Sequence, residues 1–240
     1  MRICGLQKLA MVDFPGKLAA TVFTGGCNLR CPFCHNAPLV THLEEAEHFS
    51  EEEVLDFLRR RQGLLDGVVL SGGEPLWQGE FAAELLGAAK RAGINNCVET
   101  CGFVKRGTLK NVLPLVDTFL FDIKLTDDET HRKYTGVPFG PILENLRFID
   151  SMGADIVLRC PIIPGVNDNP EHFERVAEIA DETRGVTGID IEPYHPLGTS
   201  KCAGLGRSYA MKDTEFPTPE ESDRWVEEMS GMCRKTVRKA

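Results

Sequence analysis

Three cysteines stand close together in the stretch GGCNLRCPFCHN, residues 25–36. Cys27, Cys31 and Cys34 are separated by three residues and then by two. Thiolates are soft ligands that favour Zn²⁺, Cu⁺ and iron–sulfur clusters. A structural zinc site usually closes with four ligands, and His35 would have to turn back to serve as the fourth. A [4Fe–4S] cluster held by only three thiolates would leave one iron open to a substrate or cofactor.

The composition excludes several classes of protein. The 240 residues suit one large α/β domain, and we expect a single domain over 1–240. The net charge of −9 argues against nucleic-acid binding. No apolar run reaches the roughly 20 residues that span a bilayer, and the N-terminus lacks the core of a signal peptide. The nine cysteines are odd in number and mostly scattered, which favours a reducing compartment. We therefore expect a cytoplasmic protein with no membrane and no nucleic-acid partner.

Strand-like and helix-like segments alternate along the chain. Strands are expected at 18–24, 67–73, 96–100, 118–124, 155–163 and 188–195. Helices are expected at 51–61, 80–91, 107–113, 141–153, 170–183 and 218–237, with a long loop over 196–216. Such alternation indicates an α/β fold with a parallel sheet and right-handed crossovers. Six units suit a partial (β/α)6 TIM-like barrel, and a doubly wound open sheet is the alternative.

Chemistry in both architectures lies at the carboxyl ends of the strands, and here every predicted strand end carries glycine or a polar group. After the cysteine loop, in chain order, these residues are Gly72, Gly73, Glu74, Thr100, Asp122, Lys124, Arg159 and His195. Each has a simpler interpretation. SGGE is also typical of a strand-to-helix turn, and Asp122 and Lys124 share a strand face on which they could form an ion pair. Arg159 could neutralise a carboxylate, and His195 could be an ordinary loop histidine.

The cysteine loop CNLRCPFCHN resembles that of radical S-adenosylmethionine (SAM) enzymes, and SGGE resembles their GGE motif. This resemblance implies that the three cysteines hold a [4Fe–4S] cluster whose fourth iron binds the amino and carboxylate groups of SAM. It places Phe33, His35 and Asn36 near the adenine. It also implies that Gly72, Gly73 and Glu74 bind the SAM ammonium, and that the fold is a partial barrel of the radical SAM type.

Longer stretches resemble the glycyl radical enzyme activating enzymes of the pyruvate formate-lyase type. They are VDFPGKLAATVFTGGCNLRCPFCHN, FDIK (121–124), LRCPIIPGVND (158–168) and EPYHPLGTSK (192–201). The resemblance implies an enzyme that takes a hydrogen atom from a glycine of a partner protein, with flavodoxin or ferredoxin as electron donor. Thr100 and Asp122 would help to bind a monovalent cation. Lys124, Arg159 and His195 would face the SAM carboxylate and ribose, or the partner's glycine loop.

The sequence departs from the pattern of that family in two ways. Glu99-Thr100-Cys101-Gly102 stands where Asp-Thr-Asn-Gly is common, so the longer carboxylate could alter or displace the cation site. No ferredoxin-like insert follows the cysteine loop, so we expect one cluster. The front portion also resembles activators of anaerobic ribonucleotide reductase. A radical SAM enzyme acting on a small molecule and a zinc-binding α/β protein are further alternatives. We expect a monomer.

Overall fold

The computed structural model describes residues 3–41, 43–44, 46–195, 211 and 213–240. These residues form eight strands and eight α-helices. The chain divides into two compact units, which are described separately below. The first consists of Met1–Asn28 and Asn36–Leu120, and the second of Leu29–His35 and Phe121–Ala240. None of the described helices combines the length and the apolar composition needed to cross a membrane.

The first unit is built around four strands in the order β1-β2-β3-β4. The strands are β1 (Ile3–Ala10), β2 (Ala19–Thr24), β3 (Gly67–Gly72) and β4 (Asn95–Thr100), and β5 (Thr118–Asp122) begins in this unit. The helices are α1 (Ala37–Thr41), α2 (Glu51–Arg60), α3 (Gly79–Arg91) and α4 (Arg106–Val112), with short 3-10 helices at Pro75–Gln78 and Leu113–Leu115. β1 is antiparallel to β2, whereas β2, β3 and β4 are parallel.

Apolar side chains explain why β2 and β3 lie at the centre of this unit. Val22 pairs with Leu70, and both are fully buried. Nearly continuous apolar runs of this kind are typical of parallel strands that are covered on both faces. At the carboxyl ends Thr24 pairs with Gly72, so the residues that follow the two strands leave the sheet side by side.

The second unit contains three parallel strands in the order β6-β7-β8. They are β6 (Ile156–Ile162), β7 (Val186–Pro193) and β8 (Thr236–Lys239). The helices are α5 (Asp128–Thr135), α6 (Gly140–Ser151), α7 (Pro170–Glu182) and α8 (Pro219–Met232). The core is aliphatic and aromatic, with Leu158, Ile189 and Phe173 almost fully buried.

Most of the predicted elements are present, and several regions differ. All six predicted strands exist as β2 to β7, although the strand expected over 118–124 ends at Asp122. Residues 3–10 form β1, which the alternation of strands and helices did not predict, and α1 and α5 were also missed. The loop predicted over 196–216 falls largely outside the described residues.

The helix predicted over 218–237 was too long, because it ends at Met232 and a strand follows. Arg238 on β8 donates from Nε to the buried carboxylate of Asp190 on β7, at 2.6 Å. This ion pair removes the cost of an unpaired buried charge. The β-branched residues Thr236 and Val237 also favour a strand.

The second unit contains a buried histidine whose pKa is lowered. His172, near the start of α7, is 5% exposed, and its Nδ1 lies 3.1 Å from the hydroxyl of Thr126. Its Nε2 has no hydrogen-bond partner among the described residues. Burial lowers the pKa of His172 from its ordinary value of 6.5 to about 4. Burial also lowers the pKa of His131.

We expect the free energy of unfolding to fall between pH 6.5 and pH 4. The unfolded chain binds a proton at His172 in that window while the folded chain does not, so stability is complete above pH 6.5 and is lost on acidification. The shift corresponds to about 3 kcal/mol. Urea unfolding at several pH values would measure it. His172→Gln should reduce the slope, and an unchanged slope in that variant would contradict the assignment.

Candidate active site

Two glycines bring the end of β3 against the end of β2. Gly73 N–H donates to the carbonyl of Thr24 at 2.9 Å, and Glu74 N–H donates to the carbonyl of Gly26 at 2.8 Å. A Cβ atom on Gly73 would lie 1.9 Å from the Gly26 oxygen, and Gly72 has a φ of +126°. Only glycine permits this approach and this backbone conformation. The segment predicted to bind a ligand through its backbone is therefore fixed beside the start of the cysteine loop.

Glu74 carries a carboxyl group that is completely removed from solvent, at 0% exposure. Its Oε1 accepts from the Thr100 hydroxyl at 2.8 Å and from Leu76 N–H at 3.0 Å, and its Oε2 accepts from Cys101 N–H at 2.8 Å. Burial raises the pKa of Glu74, although these hydrogen bonds oppose the shift. A buried carboxylate of this kind is a favourable partner for a cationic group. Glu74 also caps the 3-10 helix Pro75–Gln78, so the strand-to-helix turn is confirmed, and the binding of SAM by SGGE stays a prediction.

The cysteine loop is anchored separately in each unit. In the first unit Gly26 N–H donates to the carbonyl of Leu39 on α1 at 2.7 Å, and Cys27 is 9% exposed. In the second unit Arg30 N–H donates to the carbonyl of Thr135 at the end of α5, at 2.9 Å. Cys31 and Cys34 are half-buried there, and Cys34 N–H donates to the Cys31 carbonyl at 3.3 Å.

No group of three or more His, Cys, Asp or Glu side chains within the described ranges forms a ready metal site. The assignment of the three thiols as ligands therefore rests on their spacing in the sequence and on the family comparison below.

Asn28 was missed by the sequence analysis. Its Nδ2 donates to the carbonyl of Phe103, and its Oδ1 lies 4.0 Å from the sulfur of Cys27 and 3.9 Å from that of Cys101. Burial raises the pKa of the Cys101 thiol well above its usual range. Asn28 thus ties the cysteine loop to the segment after β4. In the sequence, the one indication of this role was the position of a polar residue between two of the cysteines.

The residues predicted near the adenine are partly buried. Phe33 is buried, whereas His35 and Asn36 are half-buried. The ring of His35 stacks on that of His195, with centroids 3.8 Å apart and an angle of 19° between the rings. The residue after the third cysteine and a residue predicted at the last strand end therefore lie together in the second unit.

The other predicted charged residues form ion pairs. Lys124 Nζ lies 2.7 Å from Asp122 Oδ2, and Arg159 Nη1 lies 3.0 Å from Glu192 Oε1. The ion pairs expected in the simpler interpretations are therefore present, with Glu192 as a partner that the sequence analysis did not select, and the roles of these residues toward a ligand stay a prediction. All four side chains are at most one-quarter exposed. Charges held in this way are positioned for a polar ligand without being left unpaired.

The unusual Glu99 turns away from Thr100. Its carboxylate accepts a hydrogen bond from the Ser71 hydroxyl on β3, while the Thr100 hydroxyl is used by Glu74. The two neighbouring residues therefore serve different partners in the first unit. The binding of a monovalent cation near Thr100 stays a prediction.

Asn167 is a second residue that the sequence analysis overlooked. Its side-chain nitrogen donates to the carbonyls of Lys124 and Pro161, both at 2.8 Å, and its oxygen accepts from Ile163 N–H at 2.7 Å. The residue is 1% exposed. It fixes the backbone of Lys124 beside the end of β6. Its place in the PGVND turn after a buried strand was the available signal.

Comparison with known proteins places this geometry in context. The family model described as the Radical SAM superfamily matches residues 21–179. The chain is 33% identical over 224 residues to the pyruvate formate-lyase-activating enzyme of Clostridium pasteurianum, which covers 92% of this chain and 93% of that protein. It is 30% identical over 228 residues to the pyruvate formate-lyase 1-activating enzyme of Escherichia coli K12, which covers 93% of this chain and 92% of that protein.

Solved structures show the same fold. A domain of the pyruvate-formate lyase-activating enzyme from Bacteroides vulgatus aligns with a TM-score of 0.60 and 24% identity, covering 72% of this chain and 98% of that one. A radical SAM methyltransferase from Sphaerobacter thermophilus aligns with a TM-score of 0.67 and 17% identity, covering 97% of this chain and 68% of that one.

Asn167→Ala should lower the free energy of unfolding by about 2 kcal/mol, because it removes the side-chain hydrogen bonds to two part-buried carbonyls and one buried N–H. Denaturant unfolding would measure the loss. Asn111→Ala, at an exposed position on α4, is the control and should change stability by no more than about 0.5 kcal/mol. Equal stabilities of the two variants would show that the side chain of Asn167 holds nothing in place.

Proposed function

This chain belongs to the radical SAM superfamily and, within it, to the pyruvate formate-lyase-activating enzymes, and we propose that it forms the glycyl radical of a partner enzyme related to pyruvate formate-lyase. The α/β fold of the radical SAM type is confirmed. The observation that carries the proposal is the pair of glycine-lined strand ends, at Gly26 and Gly73, beside the cysteine loop.

The cofactors of this family are a [4Fe–4S] cluster and SAM, and the residues present fit both. Cys27, Cys31 and Cys34 would hold three irons and leave the fourth for the amino and carboxylate groups of SAM. Gly72 and Gly73 let the end of β3 lie directly against Thr24 and Gly26, next to the first proposed cluster ligand. When bound, these cofactors supply a one-electron cleavage of the sulfonium to methionine and a 5′-deoxyadenosyl radical, which takes a hydrogen atom from the partner's glycine.

We propose that residues of the chain orient the cofactor. Buried Glu74, held by Thr100, would neutralise the SAM ammonium. The remaining proposed contacts are less specific. Phe33, His35 and Asn36 would lie near the adenine, and Asp122, Lys124, Arg159 and His195 would face the carboxylate, the ribose or the partner's glycine loop. A monovalent cation near Thr100 and Asp122 stays a prediction.

The partners follow from this chemistry. The partner is a glycyl radical enzyme, and the electron comes from flavodoxin or ferredoxin. We propose a monomer acting in the cytoplasm, without nucleic acid or membrane. A single domain over 1–240 with one cluster also stays a prediction. The named relatives favour a lyase partner over a ribonucleotide reductase or a small molecule, and membership of the superfamily disfavours the zinc-binding alternative.

The proposal is tested by electron paramagnetic resonance with candidate glycyl radical enzymes from the same genome. We expect a glycyl radical signal that needs this protein, SAM and a reductant. Replacing Cys27, Cys31 or Cys34 by Ala should abolish SAM cleavage and lower bound iron, because each removes one ligand. Cys233→Ala, at the half-buried end of α8, should keep both. Cleavage that survives all three loop variants would refute the ligand assignment.

Thr100→Val should weaken SAM binding about fivefold, because the carboxylate of Glu74 loses one hydrogen bond of about 1 kcal/mol. Thr100→Ser keeps the hydroxyl and should bind SAM nearly as the native protein does. Calorimetric titration of cluster-loaded protein would compare the three. Equal affinities of the Val and Ser variants would exclude a role for this hydroxyl.

A further inference from the structure

We propose that Trp77 together with the start of α4 forms the docking face for an acidic electron-carrier protein. This face, called the donor face below, consists of Trp77, Lys105, Arg106 and Lys110. The inference rests on the proposed function, because it concerns the electron that the reaction consumes. In each encounter the reduced carrier gives up one electron and the oxidised cluster accepts it, with no transfer of atoms.

Trp77 is an exposed aromatic residue that lies against the cysteine loop. It is 55% exposed on the short helix Pro75–Gln78, although tryptophan is usually well buried. Its inner face covers Gly26, since a Cβ atom on Gly26 would lie 2.8 Å from the indole ring. Gly26 directly precedes Cys27. The indole thus connects the surface to the residue next to a proposed cluster ligand.

The start of α4 reaches the other side of Cys27. Lys105 and Arg106 are exposed at its first turn. Two residues before them, the carbonyl of Phe103 accepts the side-chain amide of Asn28, which directly follows Cys27. Each part of the donor face is therefore connected to a residue that flanks Cys27: Trp77 to Gly26, and the segment before α4 to Asn28.

The two parts of the donor face are also adjacent. Thr108 on α4 packs against Gly79, where α3 begins, and a Cβ atom on Gly79 would lie 2.3 Å from the Thr108 methyl. Gly79 is two residues from Trp77, and Thr108 is three residues from Lys105. The aromatic and the basic residues thus share one side of the first unit.

The charge of the donor face is opposite to that of the protein. The chain has 36 acidic and 27 basic residues, yet the segment 101–116 contains three basic residues and no acidic one. Glu74 and Glu80 are equally near Trp77 in sequence, but Glu74 is buried, and the one exposed acid, Glu80 in the first turn of α3, leaves the face net positive.

A small acidic electron carrier matches this face better than other partners do. Electron transfer slows steeply with distance, so the carrier must approach the cluster closely, and both parts of the face are connected to residues that flank Cys27. A protein of net charge −9 would repel an acidic carrier unless the contact itself were positive. An aromatic centre with a charged rim is typical of protein interfaces. Three cations are too few for nucleic acid.

The test compares a protein reductant with a chemical one in the cluster-loaded enzyme. Lys105→Glu/Arg106→Glu should slow cluster reduction by reduced flavodoxin about tenfold at low salt, measured as the loss of cluster absorbance in stopped flow. Reduction by the native protein should slow as salt is added, and the variant should lose this dependence. SAM cleavage driven by dithionite should be unchanged. Carboxylates at the start of α4 favour the helix, so the variant should fold.

Two further variants keep the proposal falsifiable. Lys105→Glu/Lys110→Glu spares Arg106 and should weaken flavodoxin binding in the same direction. Arg60→Glu/Arg61→Glu, exposed at the end of α2, makes the same change in charge and should leave flavodoxin kinetics within twofold. Equal reduction rates in the donor-face and α2 variants, or loss of dithionite-driven cleavage in the donor-face variant, would overturn the proposal. Absence of cleavage in the native protein with dithionite would instead contradict the proposed function, and flavodoxin binding would still test the donor face.

Discussion

The contact between the backbones after β2 and β3 determines the rest of the first unit. Two hydrogen bonds, from Gly73 to Thr24 and from Glu74 to Gly26, close the gap between the strand ends. This contact sends the chain into the cysteine loop at one point and buries the carboxyl group of Glu74 at another. The free-energy cost of burying this carboxyl group is offset by hydrogen bonds from Thr100, Cys101 and Leu76. The carboxyl group proposed to bind the SAM ammonium is thus held in place by the packing of the sheet and by the residues after β4.

In the second unit, ion pairs hold the charged side chains in place. Its charged candidates are already paired, Asp122 with Lys124 and Arg159 with Glu192, and Asn167 fixes the backbone beside them. Paired charges cost less to bury than isolated ones and keep their positions before a ligand arrives. An anionic or polar ligand would therefore compete with an existing carboxylate for each cation. Binding that exchanges one ion pair for another favours ligands of matching charge over neutral analogues.

The sequence predicted the alternating fold and the positions of the strand ends because both depend on local patterns. Apolar runs followed by glycine identified β2 and β3, and the spacing of the cysteines identified the loop. Asn28 and Asn167 were missed because their importance lies in backbone groups far along the chain, which no local pattern specifies. The end of α8 was misjudged for a similar reason, since the ion pair between Arg238 and Asp190 outweighs helix propensity. β1 was missed because pairing with β2 creates it.

A Cβ atom on Gly73 would lie 1.9 Å from the Gly26 oxygen, and one on Gly26 would lie 2.8 Å from the Trp77 ring, so neither position has room for an added carbon atom. Because no larger side chain fits at either position, substitutions there cannot change the properties of the enzyme in small steps. Differences in rate or partner among homologous enzymes must arise from positions where size and charge can change in small steps. We therefore expect the amino-acid differences among homologous enzymes to lie at residues around this contact and not at the two glycines themselves.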